Sequence, residues 1–504
     1  MVNQKNIQRL EEFIINKILK IIKELSREFN IKVYLVGGAV RDLLLKKKTP
    51  VAVDWDFTVS LKAVALSKRL AARLNANHII LDSKHKIARI LWQNNGQIHR
   101  LDFAQFRAKT LKADLQKRDF IINTLCIDVA SIVQKKNESN IKNVIIDHLG
   151  AIEDIKNKVV RIPHQNSFKD DPLRILRGFA FCAKLGLHFD EKTLLLAKKS
   201  VIFLKNVSGE RISEELAKIS TDNFSYKQFL KMDEMGILAV IFPETKILKR
   251  LDQGLFHHLD VWQHSLESLK QLERLLSSLD KKIPLKVVKY IHDYLNEEIA
   301  CGRSRLWLLK LACILHDLGK PQTKFKGIDG RIHFYSHEQK GAQIIVPIAK
   351  RLKLSQKETK ILESAVLYHL RAGQLVNQYP SSRAKFRFFR DTGKDAVLIL
   401  LLTLADRFAM QGILSRKKSF VFKENEIFKM IKSYFKGLEK KENIKKKKLL
   451  NGKELMSLLK LTPGPIIGKI LSALEEAQAL KQINTRIQAK QMAKKIKENL
   501  TECR

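Results

Sequence analysis

Apolar and charged residues alternate at helical spacing between Ile7 and Phe29. Leu10, Phe13, Ile14, Ile18, Ile21, Ile22 and Leu25 fall on one side and predict an amphipathic helix that packs against a neighbouring sheet. The period then changes. Val33–Val36 is an unbroken apolar run closed by Gly37 and Gly38, which predicts a strand, a tight turn and a short helix over GAVRDLLL. In the returning strand Asp54 and Asp56 alternate with Trp55 and Phe57, so at a period of two both carboxylates point the same way. A helix rich in Ala, Leu and Lys comes next, then strands around 78–81, 86–92 and 97–103, the last carrying Asp102. Asp147 to Gly150 reads as a turn, and IEDIKNKVVRI leads out of this first region into sequence that is helical almost throughout. The pattern is that of an α+β chain: a small sheet domain first, helical domains after it.

Two carboxylates on one strand face repel each other unless cations lie between them, and hard divalent ions such as Mg²⁺ are bound through carboxylates and substrate phosphates. Beside Asp54 and Asp56 stands the Gly37–Gly38 turn. Residues without Cβ let phosphate oxygens approach the backbone, and Arg41 just inside the helix offers a bidentate fork. Asp102, on a third strand of the same sheet, is placed to activate an attacking hydroxyl or to share a metal. The stretch outlines a nucleotidyl-transfer site.

GGAVRDLLL followed by DWDF resembles the class II tRNA nucleotidyltransferases and bacterial poly(A) polymerases of the polymerase β-like superfamily. The resemblance implies a small nucleotidyltransferase sheet domain followed by all-helical neck, HD and tail domains. It extends to LQKRDFIINTLCID, where Arg118, Asp119 and Asn123 match a nucleotide-binding segment, with Ile121 where the family often has Thr. It extends also to DDPLRILRGFAF, with Asp170 in place of the usual Glu. There Pro172 suits a first helical turn, and Asp171 and Arg174, three apart, are expected on one face. An acceptor beside a fork of donors matches the pairing edges of cytosine and adenine and mismatches those of guanine and uracil, so this pair is expected to select CTP and ATP without a template. Arg177, one turn on, is expected to stack or to bind phosphate. VSGERISEELAKI resembles the family's neck, braced by Arg211 and Glu215.

The chain changes character near residue 257. His264, His316, Asp317, His337, His369 and Asp406 lie in helical sequence, and imidazole and carboxylate are ligands for a divalent ion. In ACILHDLGKP, FYSHEQKGA, VLYHLRAG and TLADRFA they resemble the HD phosphohydrolase superfamily. The resemblance implies metal-assisted hydrolysis of a phosphate ester, with His264, His316, Asp317 and Asp406 around one metal and His337 and His369 near a second position.

Composition narrows the partners. Lys and Arg number 94 against 52 Asp and Glu, a net charge of +42, which favours a polyanion such as RNA through phosphate neutralisation. The run Lys445–Lys448 precedes a compact helical tail over 451–483 and is a candidate tRNA-phosphate contact. Five cysteines without CxxC spacing read as reduced thiols of a cytoplasmic protein. Neither an export signal nor a membrane span is expected. Four domains are expected: a nucleotidyltransferase head over 1–162, a helical neck that binds nucleotide and RNA over 163–250, an HD-type metal domain over 251–425 and a helical tail over 426–504 that meets tRNA. The expected activity is Mg²⁺-dependent addition of C and A residues to the 3′ end of tRNA from CTP and ATP. Poly(A) polymerase, or a CC-only or A-only enzyme, is the alternative. The segment RAKTLKADLQKR stands where many CCA-adding members carry a longer flexible loop, and a short loop there is compatible with a CC-only or A-only enzyme. An RNA-binding HD-type phosphohydrolase is the more distant reading.

Overall fold

The computed structural model describes residues 17–45, 54–94, 97–132, 144–221, 224–253, 259–328, 330–376, 379–410, 418–443 and 449–502. The start of the leading helix, Lys445–Lys448 and Cys503 lie outside them. The chain divides into two compact units, Met1–Val207 and Ser208–Arg504.

The first unit is built on a seven-stranded mixed sheet. Its strands are β1 (Val33–Val36), β2 (Asp54–Val59), β3 (Asn77–Asp82), β4 (Ile87–Asn94), β5 (Gln97–Gln105), β6 (Cys126–Asp128) and β7 (Ile145–Ile146). They lie in the order β3-β4-β5-β2-β1-β6-β7. All neighbours are antiparallel except β2 and β5, which run parallel. Strand alternation sorts the faces. Val33, Leu35, Trp55, Phe57, Val59, Leu101 and Phe103 form one buried cluster with helix α1 (17–28) and helix α3 (Ala63–Leu74), reached through Ile18, Ile22, Leu25, Leu66 and Leu70. Phe57 and Phe103 stack across β2 and β5 with centroids 4.8 Å apart. Removing such a ring costs about 3–5 kcal/mol through lost burial and the cavity left behind. The helices therefore fix this face, and the other is left to carry Asp54, Asp56 and Asp102.

Between β1 and β2 runs helix α2 (Gly38–Leu44), and between β5 and β6 the short helix α4 (Leu111–Leu115), capped by Thr110. The expected shared face of Asp171 and Arg174 is not formed. A turn spans Ser167–Asp170, Asp171 is extended at φ −148°, and helix α5 covers Arg174–Leu185. The cause is Pro172, whose ring disfavours the helical region for the residue before it. Asp171 thus sits ahead of the helix, its Oδ1 accepting from the Leu173 amide at 3.2 Å, and does not share a helical face with Arg174.

The second unit is helical apart from two small hairpins among the described residues. After α6 (Gly209–Ser220), its centre is made by α7 (Val261–Ser277), α8 (Arg305–Leu315), α9 (His337–Arg351), α10 (Gln356–Leu375), α11 (Ser382–Thr392) and α12 (Ala396–Ala409). The sequences of α8 and α12, RLWLLKLACIL and AVLILLLTLADRFA, are apolar nearly all round because both are enclosed by neighbours. Charges inside are paired: Arg303 forks onto Glu358 at 2.7 and 2.8 Å, and Lys310 meets Glu273 at 2.9 Å. The tail is α13 (Lys418–Asn443), then α14 (Gly452–Leu459), α15 (Pro465–Ala479) and α16 (Arg486–Glu502), the last three around a core of Leu455, Leu459, Ile470 and Leu474. Arg383 and Arg387 of α11 hold the buried Glu476 of α15.

Candidate active sites

The first site lies on the sheet face opposite α1 and α3. β1 ends at Val36, opposite Asp56, and Asp56 is directly opposite Asp102 on β5. Gly37 comes next with φ +79°, a left-handed conformation that glycine adopts without strain. A Cβ there would stand 3.3 Å from Arg118 Nη1 and 3.4 Å from Asp56 Oδ2. Gly38 opens α2. The glycine thus keeps clear the space between a guanidinium and a carboxylate, and Arg118 Nε is buried without a hydrogen-bond partner among the described residues. An orphaned donor beside paired acids is a feature a bound anion would satisfy.

Asp56 retains exposed surface, yet partial desolvation raises its pKa; Arg118 opposes the shift while Asp102, Asp54 and Asp119 add to it. Two-thirds of the Asp54 side chain is exposed (67%), and Arg100, opposite it on β5, reaches its Oδ1 at 3.2 Å. So exposed a pair is worth little and yields readily to a cation. Asp102 differs: Arg89 of β4 binds both its oxygens, at 2.7 and 2.8 Å. It stands directly beside Asp56 in the β2–β5 register, and each of its oxygens already accepts one hydrogen bond.

Of the other expected nucleotide binders, several bind one another. Arg41, 3% exposed, donates to Asn123 Oδ1 at 2.6 Å and to Asp42. Asp119 takes the Phe120 amide and Asn123 Nδ2 on one oxygen and Arg177 on the other. Burial pushes Asp119 up, but Arg177 and Asn123 outweigh it and hold the carboxyl below its usual range. Arg174 donates to Ser167 Oγ at 2.7 Å and to the Lys117 carbonyl at 2.9 Å. Burial lowers its pKa. These partners join α2, the 117–123 segment and α5 at one place.

The segment 107–118 is tied down. Asp114 Oδ1 accepts from the Arg107 amide at 2.9 Å, its Oδ2 accepts from Thr58 Oγ1 at 3.0 Å, and Lys117 Nζ donates to the Arg107 carbonyl at 3.0 Å. Thr58 is two residues from Asp56 on β2. Arg89, Arg100 and Asp114 escaped the sequence reading, although β-strand register would have placed the two arginines beside the acids.

The second site is a buried nest in the helical unit. His264 Nε2 lies 2.7 Å from Asp406 Oδ1, and His316 Nε2 3.6 Å from the same oxygen and 3.2 Å from Asp317 Oδ2. His337 Nε2 is 3.3 Å from Asp317 Oδ1. His369 completes the group, its ring 5.1 Å from that of His316 and 5.3 Å from that of His337. Two overlapping ligand triads result, His264–His316–Asp406 and His316–Asp317–His369, which share His316. The six expected residues are therefore together. Asp317 stands 3.9 Å from His264, so the expected set of His264, His316, Asp317 and Asp406 lies close together, with His337 and His369 beside it.

Three imidazoles are oriented by backbone: Nδ1 of His316, His337 and His369 lies 3.0, 2.7 and 2.6 Å from the carbonyls of Cys313, Phe334 and Val366. Burial pushes His316 down, but Asp317 and Asp406 outweigh it and raise it to about 10, whereas His369, with its proton on Nδ1, presents Nε2 as a lone pair that has no hydrogen-bond partner among the described residues. Burial and the neighbouring His316 and His337 push His369 down to about 3, so its ring is neutral. For Asp317 burial works upward, but His316 and Lys320 outweigh it and hold the carboxyl well below its usual range. Lys320 Nζ, 2.7 Å from Asp317 Oδ2 and 2.6 Å from Gln253 Oε1, was not anticipated. The donor set fits a divalent transition ion better than Mg²⁺, which prefers oxygen.

Comparison with known proteins assigns the class. The poly A polymerase head domain matches residues 33–161 and the HD domain residues 261–411. The RNA and SrmB binding site of polymerase A matches 186–248, and tRNA nucleotidyltransferase domain 2 matches 345–490. This is a nucleotidyltransferase head followed by an HD-type domain, and both families work with divalent metals. The Multifunctional CCA protein of Actinobacillus pleuropneumoniae is 30% identical over 375 residues, 70% of this chain and 79% of that protein. The chain belongs to the tRNA nucleotidyltransferase and poly(A) polymerase family. An A-adding tRNA nucleotidyltransferase of Deinococcus radiodurans is 29% identical over 90% of this chain and 92% of its own length. A CC-adding enzyme of Thermus thermophilus is 28% identical over 90% and 91%. The fold is that of the Thermotoga maritima CCA-adding enzyme complexed with tRNA, with a TM-score of 0.59 at 21% identity over 98% of both chains. Among the described residues no helix is long and apolar enough to cross a membrane.

Proposed function

We propose that this chain extends the 3′ end of tRNA with C and A residues, without a template, from CTP and ATP. The observation that carries the reading is the pairing of Asp54 and Asp56 on one open strand face beside Gly37, with the unpartnered Arg118 nitrogen across the gap. The tRNA 3′ oxygen forms the new bond to the α-phosphorus, the bond to the β-phosphate oxygen breaks, and pyrophosphate leaves along the Gly37–Gly38 turn toward Arg118. Asp54 and Asp56 are the residues that would hold Mg²⁺, which neutralises triphosphate charge and lowers the pKa of the attacking hydroxyl. Asp171 and Arg174, at the mouth of α5, read the base, and Arg41, Asp119, Asn123 and Arg177 shape the pocket around it. Catalysis is mainly positioning and charge neutralisation. The head, neck, HD and tail divisions expected from the sequence serve as transfer, RNA-positioning, metal and tRNA-binding parts. The cytoplasm, where tRNA is matured and thiols stay reduced, is the proposed location.

A narrower specificity, CC-only or A-only, is favoured by the fastened 107–118 segment, where longer mobile loops serve many CCA-adding members. The HD-type nest is read as a phosphohydrolase centre holding one or two divalent ions. The deciding experiment supplies tRNA ending at the discriminator, at C or at CC with labelled CTP, ATP, GTP or UTP, singly and in pairs. Addition that halts after CCA supports the main reading; a halt after CC, or A added only to CC ends, supports the narrower one. Long A tails identify a poly(A) polymerase. Hydrolysis of a 2′,3′-cyclic phosphate that vanishes in Asp317→Ala supports the second centre, and an inactive parent argues for a silent one.

A further inference from the structure

The polar groups around the first site form one connected chain. Asp42 Oδ1 accepts from Arg41 Nε at 2.9 Å, and Arg41 Nη1 donates to Asn123 Oδ1 at 2.6 Å. Asn123 Nδ2 donates to Asp119 Oδ1 at 3.1 Å, and Asp119 Oδ2 accepts Arg177 Nε and Nη2 at 3.1 and 2.7 Å. The chain runs from α2, next to the glycine turn, to α5, which carries Arg174. Asn123 uses its oxygen on one arginine's side and its amide on the aspartate, so a shift at either end is felt at the other.

Both arginines in this chain lie over a single ring. The Phe181 centroid is 5.5 Å from Arg41 Cζ and 5.8 Å from Arg177 Cζ. Phe181 is itself braced edge-on against Phe120, with centroids 5.8 Å apart at 81°, and Phe120 directly follows Asp119. Gly178 makes this approach feasible, since a Cβ there would come within 2.9 Å of Phe120 and 2.4 Å of Phe189. Two guanidiniums repel each other in a partly desolvated place, and an aromatic quadrupole attracts both. A plain apolar plug would fill the volume without supplying that attraction.

We propose that Phe181 is a positioning residue for nucleotide selection: its ring holds Arg41 and Arg177 in register, so that the triphosphate end and the base-reading end of the site act as one unit. The inference rests on the nucleotidyl-transfer reading. In it Asp119 and Asn123 act through the arginines they hold.

The test compares Phe181→Met, which roughly keeps volume and loses the ring, with Phe181→Tyr, which keeps the ring. The full chain is assayed with a tRNA lacking its 3′ end, measuring KM and kcat for CTP and the rate of UTP misincorporation. The Met variant is expected to raise KM for CTP about tenfold and to misincorporate UTP more often, while the Tyr variant stays within about twofold of the parent. In an Arg177→Met background the same Phe181→Met change is expected to add less than about threefold, because one of its two partners is gone. Parental KM and selectivity in the Met variant overturn the proposal, as do equal losses in the Met and Tyr variants or full additivity with Arg177→Met. If Phe181→Met does not fold, Arg177→Lys, which keeps the charge and loses the fork, must loosen selectivity, and unchanged selectivity there overturns it. A parent that incorporates no nucleotide defeats the transfer reading instead. Equilibrium binding of CTP to the parent and both variants then still decides the role of Phe181.

Discussion

The two candidate metal centres are assembled from opposite materials. In the sheet unit, carboxylates stand on a strand face with Asp54 largely in solvent, and nearby arginines compensate them loosely at Asp54 and firmly at Asp102. In the helical unit, four histidines and two aspartates are buried together, and three of the rings are held by backbone carbonyls. An open face suits a reaction in which an RNA end and a triphosphate must arrive from solution and supply part of the coordination themselves. A closed nest with nitrogen donors suits an ion that stays, because the protein provides nearly all of its ligands. The contrast teaches that one chain can carry two donor sets that differ in atom type and in exposure.

The contrast is broken most directly by Asp56→Ala. Nucleotide incorporation should fall at least about a thousandfold while the metal content of the helical unit is unchanged, as read by quantitative end-labelling and elemental analysis. Loss of bound metal from the second centre as well would show that the two are not independent. Next in size is Glu358→Ala, which leaves the buried Arg303 unpaired and should lower the stability of the helical unit by about 3–5 kcal/mol in urea melts. Burial pushes Glu358 up, but Arg303 and Ser355 outweigh it and hold the native pKa low. The pair's contribution should therefore be complete above the ordinary carboxylate range and decline as pH falls through that lower native value. Melts that are equally stable in parent and variant at neutral pH would refute the account.

His369→Ala should weaken divalent transition-metal binding by at least about tenfold in competition titrations and leave CTP incorporation within about twofold. A weakened transferase would couple the units. The smallest effect is expected from Arg100→Ala. Removing an exposed partner of Asp54 should shift the Mg²⁺ half-saturation of transfer downward by less than about fivefold. A large loss of turnover would instead make Arg100 part of the transfer machinery.

Periodicity was enough to find β1, α2, β2 and the shared face of Asp54 and Asp56, because those signals are local and no long-range choice can reverse them. The six residues of the buried nest were named by the resemblance of ACILHDLGKP, FYSHEQKGA, VLYHLRAG and TLADRFA to the HD superfamily, not by periodicity. It failed where proline chemistry competed with helical period, at Asp171. It also failed where a side chain's partner comes from a distant element. The Arg41–Phe181 contact joins residues far apart in the chain.

What the order of residues determined was the inventory: which acids alternate, where glycine permits positive φ, which histidines lie on helices. The tertiary structure decided occupancy, that is, which of those groups are already engaged and which are left to face a ligand. Asp102, Asp119 and Asn123 are engaged, whereas among the described residues Arg118 Nε and His369 Nε2 are not. The reason is that hydrogen-bond satisfaction depends on distances of about 3 Å between atoms whose separation along the chain carries no information about their separation in space.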